Sequence, residues 1–170
     1  MASIIEKIKD RRMREWYEAN RKPEFLDEIA EEALREDYKF DSKSGLFLKN
    51  ISDSGYTHIN IIMPRISDIH FHPDVTETSR VLDGNGVYYY NPPATPDNAP
   101  LKNRLVRKRS RITTLVNSAH AWVPGAKGYL ELDLTCDGVL DLKEEVCLVP
   151  FYEVESWLRT TKALRQEGSK

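Results

Sequence analysis

The segment Asp68-Ile69-His70-Phe71-His72-Pro73-Asp74-Val75-Thr76-Glu77 carries the residue types best suited to chemistry in this chain. Side chains alternate faces along a strand, so His70 and His72 point to the same side if the segment is extended. Two imidazoles side by side in a β interior need partners for their ring nitrogens, and a metal ion supplies one. Glu77 follows at a distance that allows a turn and the start of the next strand, and can add a carboxylate to the same centre. Two histidines and a carboxylate around open positions form a donor set used by many divalent transition-metal sites.

The elements that must position these residues follow from periodicity. From Ile4 to Ala19, apolar residues recur at helical spacing (Ile4, Ile5, Ile8, Met13, Trp16, Tyr17), with basic residues between them. Pro23 interrupts the pattern and starts a second amphipathic stretch containing Phe25, Leu26, Ile29, Ala30 and Leu34. After the turn signal at Ser42 to Gly45, short β-prone runs alternate with Gly, Pro, Asn and Asp. Strands are expected at 45–49, 58–63, 68–72, 79–82, 86–90, 111–116, 119–123, 129–134 and 146–149. Asp83-Gly84-Asn85-Gly86 reads as a hairpin turn. Asn91 to Pro100 reads as a proline-rich surface loop, and Tyr152 to Gln166 as a short amphipathic helix. Many short strands at close spacing predict a sandwich or barrel.

The spacing His70-x-His72-x4-Glu77-x6-Gly84, followed by RVLDGNGVYYY, resembles the first sequence motif of the cupin superfamily, closing glycine included. The resemblance covers about residues 46 to 150. It implies a mainly β fold, a double-stranded β-helix (jelly-roll) barrel, with His70, His72 and Glu77 as metal ligands. Two N-terminal helices over residues 1–44 and a C-terminal helix over 151–170 are then additions to a barrel at 45–150. The helices are expected to cover a sheet face or to form a dimer contact, and the resemblance favours a homodimer.

The family's second motif, G-D-x4-P-x-G-x2-H, ends in a fourth ligand. Its expected position is Ser118 to Tyr129, with Pro124 as the proline and Ser118-Ala119 in place of Gly-Asp. Tyr129 then stands where the histidine belongs. Two readings follow. His120 reaches the metal from a neighbouring strand, or Tyr129 lies near it as a ligand or general acid/base. Either one, unliganded, could act as a catalytic proton carrier.

Composition narrows the function classes. The 170 residues include 40% hydrophobic and 31% charged residues, with a formal net charge of -2, which gives no overall case for nucleic acid or an anionic membrane. The two cysteines, Cys136 and Cys147, form no C-x-x-C pair and no disulfide scaffold. Without an apolar leader or a run of about 20 apolar residues, the reading is a soluble cytoplasmic protein. The basic run from Lys102 to Arg111 has two readings. It is either a charged edge strand that resists aggregation, or it sets Arg107, Arg109 and Arg111 on one face to bind a substrate anion. Trp122 and the Tyr88–Tyr90 group read either as the wall of an apolar substrate pocket around the metal or as ordinary core.

The expected activity is that of a metal-dependent enzyme on a small organic molecule. An oxygenase is favoured over an isomerase or lyase, with one divalent ion: Fe(II) first, then Mn(II), Ni(II) or Zn(II). A ligand-binding or sensor module without catalysis, or an assembly protein on the same frame, are the alternatives.

Overall fold

The structure is a computed structural model that describes residues 3–51, 56–93, 95, 99–140 and 145–167. Three helices open the chain: α1 (Ile4–Lys7), α2 (Arg11–Asn20) and α3 (Pro23–Arg35). The first expected helix is thus split in two. The Asp10 carboxylate accepts a hydrogen bond from the Met13 amide at 2.8 Å and restarts the helix as an N-cap. Pro23 occupies the first turn of α3, as its fixed φ suits.

Ten strands follow: β1 (Lys39–Asp41), β2 (Leu46–Asn50), β3 (His58–Met63), β4 (Ile69–Phe71), β5 (Glu77–Tyr90), β6 (Lys102–Arg107), β7 (Arg111–Thr114), β8 (His120–Pro124), β9 (Leu130–Cys136) and β10 (Val146–Val149). Helix α4 (Phe151–Glu167) closes the chain. All pairings are antiparallel. One sheet runs β1-β2-β3-β9 and continues into the first half of β5, beside β7. The other runs β10-β4-β8 into the second half of β5, beside β6. The single strand β5 therefore joins the two walls of a mainly β, cupin-type jelly-roll barrel.

The corner of β5 lies at Asp83-Gly84-Asn85-Gly86, which is not the hairpin turn expected from its sequence. The register with β9 slips between Val81 and Asp83, and Gly84 has φ +86°. A side chain on Gly84 would strike the Tyr129 carbonyl, and one on Gly86 the Val123 carbonyl. These glycines serve close backbone approach at a bend, not chain reversal. Strand β1 is absent from the expected strands because Lys39–Asp41 is short, whereas β6 falls in the basic run and fits the charged edge-strand reading, pairing on one side only, with β5.

The helices explain why some strand segments are apolar on both faces. Ile61 and Met63 turn into the barrel, whereas Ile62 packs with Phe47 under Ile4, Ile8, Tyr17, Leu26 and Ile29 of the N-terminal helices. Ile69 and Ala121 pack outward with Val154 of α4, which leaves their neighbours His70 and His120 facing inward. The helices thus cover the outer faces of both walls, and the polar side chains of His70 and His120 are confined to the interior. No helix among the described residues is long and apolar enough to cross a membrane.

Candidate metal centre

His70 on β4, His72 just after it, and His120 at the start of β8 converge in the barrel, their candidate ligand nitrogens all within 4.8 Å of one another. His70 and His120 are direct cross-strand partners, so their side chains leave neighbouring strands side by side on one face. Glu77, at the start of β5, closes the set. Its Oε2 lies 3.2 Å from His72 Nε2 and 3.6 Å from His120 Nε2. All four residues are buried, and His120 is fully so.

Backbone carbonyls orient two of the rings. His70 Nδ1 lies 3.0 Å from the Asp68 carbonyl, and His120 Nδ1 lies 3.0 Å from the Ser118 carbonyl. A carbonyl only accepts, so each Nδ1 donates and each Nε2 offers a lone pair to the interior. This is the arrangement that fixes tautomer and direction in metal-bound histidines. Ser79 Oγ donates to Glu77 Oε1 at 2.6 Å and leaves Oε2 for the centre.

The nitrogens that result are costly unless something binds them. His120 Nε2 and both ring nitrogens of His72 are buried without a hydrogen-bond partner. Each such group costs roughly 1–3 kcal/mol if left unsatisfied. Burial, reinforced by repulsion from His120 and His72, holds His70 well below its ordinary value of 6.5, so it is neutral. Burial would raise Glu77, but His120 and His72 outweigh it and hold the carboxyl well below the usual carboxylate range. A buried carboxylate beside buried imidazole nitrogens that have no hydrogen-bond partner calls for a cation between them. The donor set, three imidazoles and one carboxylate, fits a divalent transition metal and leaves two positions of an octahedron free.

The centre opens onto a cavity of about 110 Å³. Its walls are mostly apolar, with Leu46, Ile61, Met63, Trp122, Leu132, Leu134 and Leu140, and three further charged groups enter it, Arg65, Asp68 and Glu145. Arg65 is committed: its guanidinium donates to the Ser44 and Ile66 carbonyls and lies over the Phe151 ring. Asp68 Oδ1 accepts from the Phe151 amide at 2.6 Å. Glu145 stands 4.0 Å from His70 Nδ1, and burial raises its pKa.

The second sequence motif needs a new register. Tyr129 does not reach this centre. Its hydroxyl donates to Asp83 Oδ2 at 2.8 Å, and the ring lines a different recess with Ile29, Glu32 and Glu131. The template G-D-x4-P-x-G-x2-H fits instead on Arg109-Ser110-Arg111-Ile112-Thr113-Thr114-Leu115-Val116-Asn117-Ser118-Ala119-His120. Both glycine positions of the template fall on residues with positive φ, Arg109 at 73° and Asn117 at 59°. Arg109 N bonds to the Val81 carbonyl and Asn117 N to the His72 carbonyl, so both turns are pinned to the strands that carry the site. In this register His120 occupies the position of the motif's histidine. The signal was present in the sequence, since asparagine accepts the left-handed conformation better than most residues.

The remaining candidates are scattered. Trp122 lines the histidine cavity. Arg107, Arg109 and Arg111 do not share a strand face, because β6 ends at Arg107 and the chain reverses through Lys108 to Ser110. Arg107 and Arg109 are exposed, and Arg111 lines a separate groove. His58 bonds to Asp133 at 2.6 Å, and Arg80 also reaches Asp133, at 2.8 Å, on the outside of the barrel.

Asp83 shows what Tyr129 does contribute. Lys127 and Tyr129 hold the Asp83 carboxyl down to about 2 against its ordinary 3.8. The folded pKa is depressed, so the stabilisation is present above pH 3.8 and is lost as pH falls toward 2. Asp83→Asn is therefore expected to reduce stability at pH 5 and to weaken its pH dependence between 4 and 2, read by urea unfolding at each pH.

No protein-family model matches the chain, and no curated protein sequence matches it. Solved structures do. Pac13 from Streptomyces, described as a nucleoside dehydratase and also solved with uridine, superposes with a TM-score of 0.54 at 20% identity, over 71% of this chain and 92% of its own. The capsular polysaccharide assembling protein CapF from Staphylococcus aureus superposes with a TM-score of 0.53 at 14% identity, over 66% of this chain and 34% of its own. At these identities the likeness is one of fold, the cupin-type barrel.

Proposed function

We propose that the protein is a metal-dependent lyase or isomerase that removes or shifts a proton of a small organic molecule, with a divalent ion that His70, His72, His120 and Glu77 would hold. The observation that carries this reading is the convergence of His70, His72, His120 and Glu77 at the edge of one cavity that also holds a half-buried carboxylate, Glu145. A divalent ion bound there supplies Lewis acidity to a substrate oxygen. Glu145 takes or returns the proton, and its raised proton affinity suits a general base better than an exposed glutamate would. The leucine wall and Trp122 exclude water and hold the carbon skeleton. The dehydratase activity described for Pac13, on the same fold, is in keeping with this choice.

The oxygenase reading rests on the two positions that the four ligands leave free, which suit iron and dioxygen. The two separate in one experiment. Protein loaded with Fe(II), Mn(II), Ni(II) or Zn(II) is incubated with a panel of hydroxylated carbonyl compounds and nucleosides, in air and without oxygen, and followed by NMR. A lyase or isomerase forms the same product in both atmospheres, and Glu145→Gln lowers its rate by about a hundredfold or more while metal content is kept. Product formed only in air, with matching oxygen consumption, would establish the oxygenase instead.

A further inference from the structure

A second cavity, of about 310 Å³, lies apart from the histidine cavity at the seam between β6 and β7. Each of these strands pairs with β5, one at each end of the bend, so their outer edges face each other across a gap. Tyr88 and Tyr90 form the floor, their rings stacked with centroids 5.6 Å apart and planes 13° from parallel. Tyr88 is closed off behind, its hydroxyl 2.6 Å from Thr114 Oγ1. Thr114 is the cross-strand partner of Glu77 on β7, and Glu77 itself does not line the seam.

Arg104 is the unusual feature. It stands opposite the buried Tyr88 and two residues before the buried Val106, which makes its position on β6 an inward one. An arginine there, at a place where a barrel expects an apolar residue, enters the gap as a cation. Arg111 adds a second positive charge at the rim. Among the described residues, no hydrogen bond or ion pair engages either guanidinium and no carboxylate lines the seam. The histidine cavity has the opposite character, with Asp68, Glu77 and Glu145 in it and its arginine committed to carbonyls.

We infer that the seam is a binding site for a small planar anion, an aromatic or heteroaromatic ring that carries a carboxylate or phosphate. The ring lies on Tyr90, which is half-buried and supported from below by Tyr88. The anionic group meets Arg104, whose fork of donors matches a carboxylate or phosphate in two parallel hydrogen bonds, with Arg111 adding attraction at the entrance. The two cavities share no lining residue, and neither His70, His72, His120 nor Glu77 lines the seam.

Calorimetric titration of the full chain with uridine 5′-monophosphate and with 4-hydroxybenzoate tests this. At least one of these ring anions is expected to bind saturably at millimolar concentration or below. Arg104→Ala weakens that binding at least about tenfold, and Arg104→Lys weakens it less. Tyr90→Ala weakens it several-fold, and His70→Ala leaves it within about twofold. Three results would overturn the inference. They are no saturable binding of either probe, binding indifferent to Arg104→Ala, or binding abolished by His70→Ala, which would place the ligand in the histidine cavity. Arg104 is exposed, so its replacement leaves the fold intact, and circular dichroism of each variant verifies this.

Discussion

His120→Ala is expected to weaken divalent metal binding at least a hundredfold, whereas Tyr129→Phe leaves it unchanged. The two substitutions separate the two registers of the second motif. His120 has its Nδ1 held on the Ser118 carbonyl and its Nε2 aimed at the shared point with His70 and Glu77. In the proposed centre its removal takes away one of four donors and leaves Glu77 with one fewer counter-group, and loss of even an outer partner typically costs 10–100-fold in affinity. Tyr129 meets Asp83 at the corner of β5 and does not line the cavity. Competition of each variant against a fluorescent zinc chelator measures the affinities. Equal loss in both variants, or loss only in Tyr129→Phe, would restore the register that places Tyr129 at the metal.

Gly86→Ala is expected to lower stability by about 2–4 kcal/mol, a melting temperature lower by roughly 5–15 °C. A methyl group at this position runs into the Val123 carbonyl oxygen, which belongs to the backbone of the neighbouring strand and cannot rotate away. The strands β5 and β8 would have to separate at Gly86–Pro124, two steps along the register from Tyr88–Trp122. Since β8 also carries His120, the same variant should bind metal more weakly at temperatures below its transition. Thermal unfolding followed by circular dichroism checks the first expectation, and an unchanged melting temperature would mean that the corner of β5 is looser than its glycines indicate.

The sequence made the first half of the site legible and hid the second. His70, His72 and Glu77 share a short segment, and alternation along one strand is enough to put the histidines together. His120 is distant in sequence, and it joins them through a β4–β8 pairing that local pattern does not reveal. The second motif was misplaced because Pro124 offered a conspicuous anchor, while Arg109 and Asn117 hide two glycine-like turns behind ordinary side chains. Strands whose two faces differ, or which helices cover on the outside, were found close to their true bounds, among them β3 and β10. The corner at Gly84 and Gly86 was read as a chain reversal, because glycine marks both a tight turn and a close backbone crossing. β6 is legible only as a charged edge, since Arg104 on its inward side breaks the apolar alternation by which strands are recognised.

The four-ligand centre is tested most directly by elemental analysis of untagged protein beside its His70→Ala variant, both purified without chelators and then equilibrated with the same divalent ion. The wild-type protein should retain about one transition-metal ion per chain after dialysis, and the variant less than about a tenth of that, with both chains folded. Equal metal content in the two proteins, or a wild-type protein that retains none, would contradict the assignment of His70, His72, Glu77 and His120 as a metal centre.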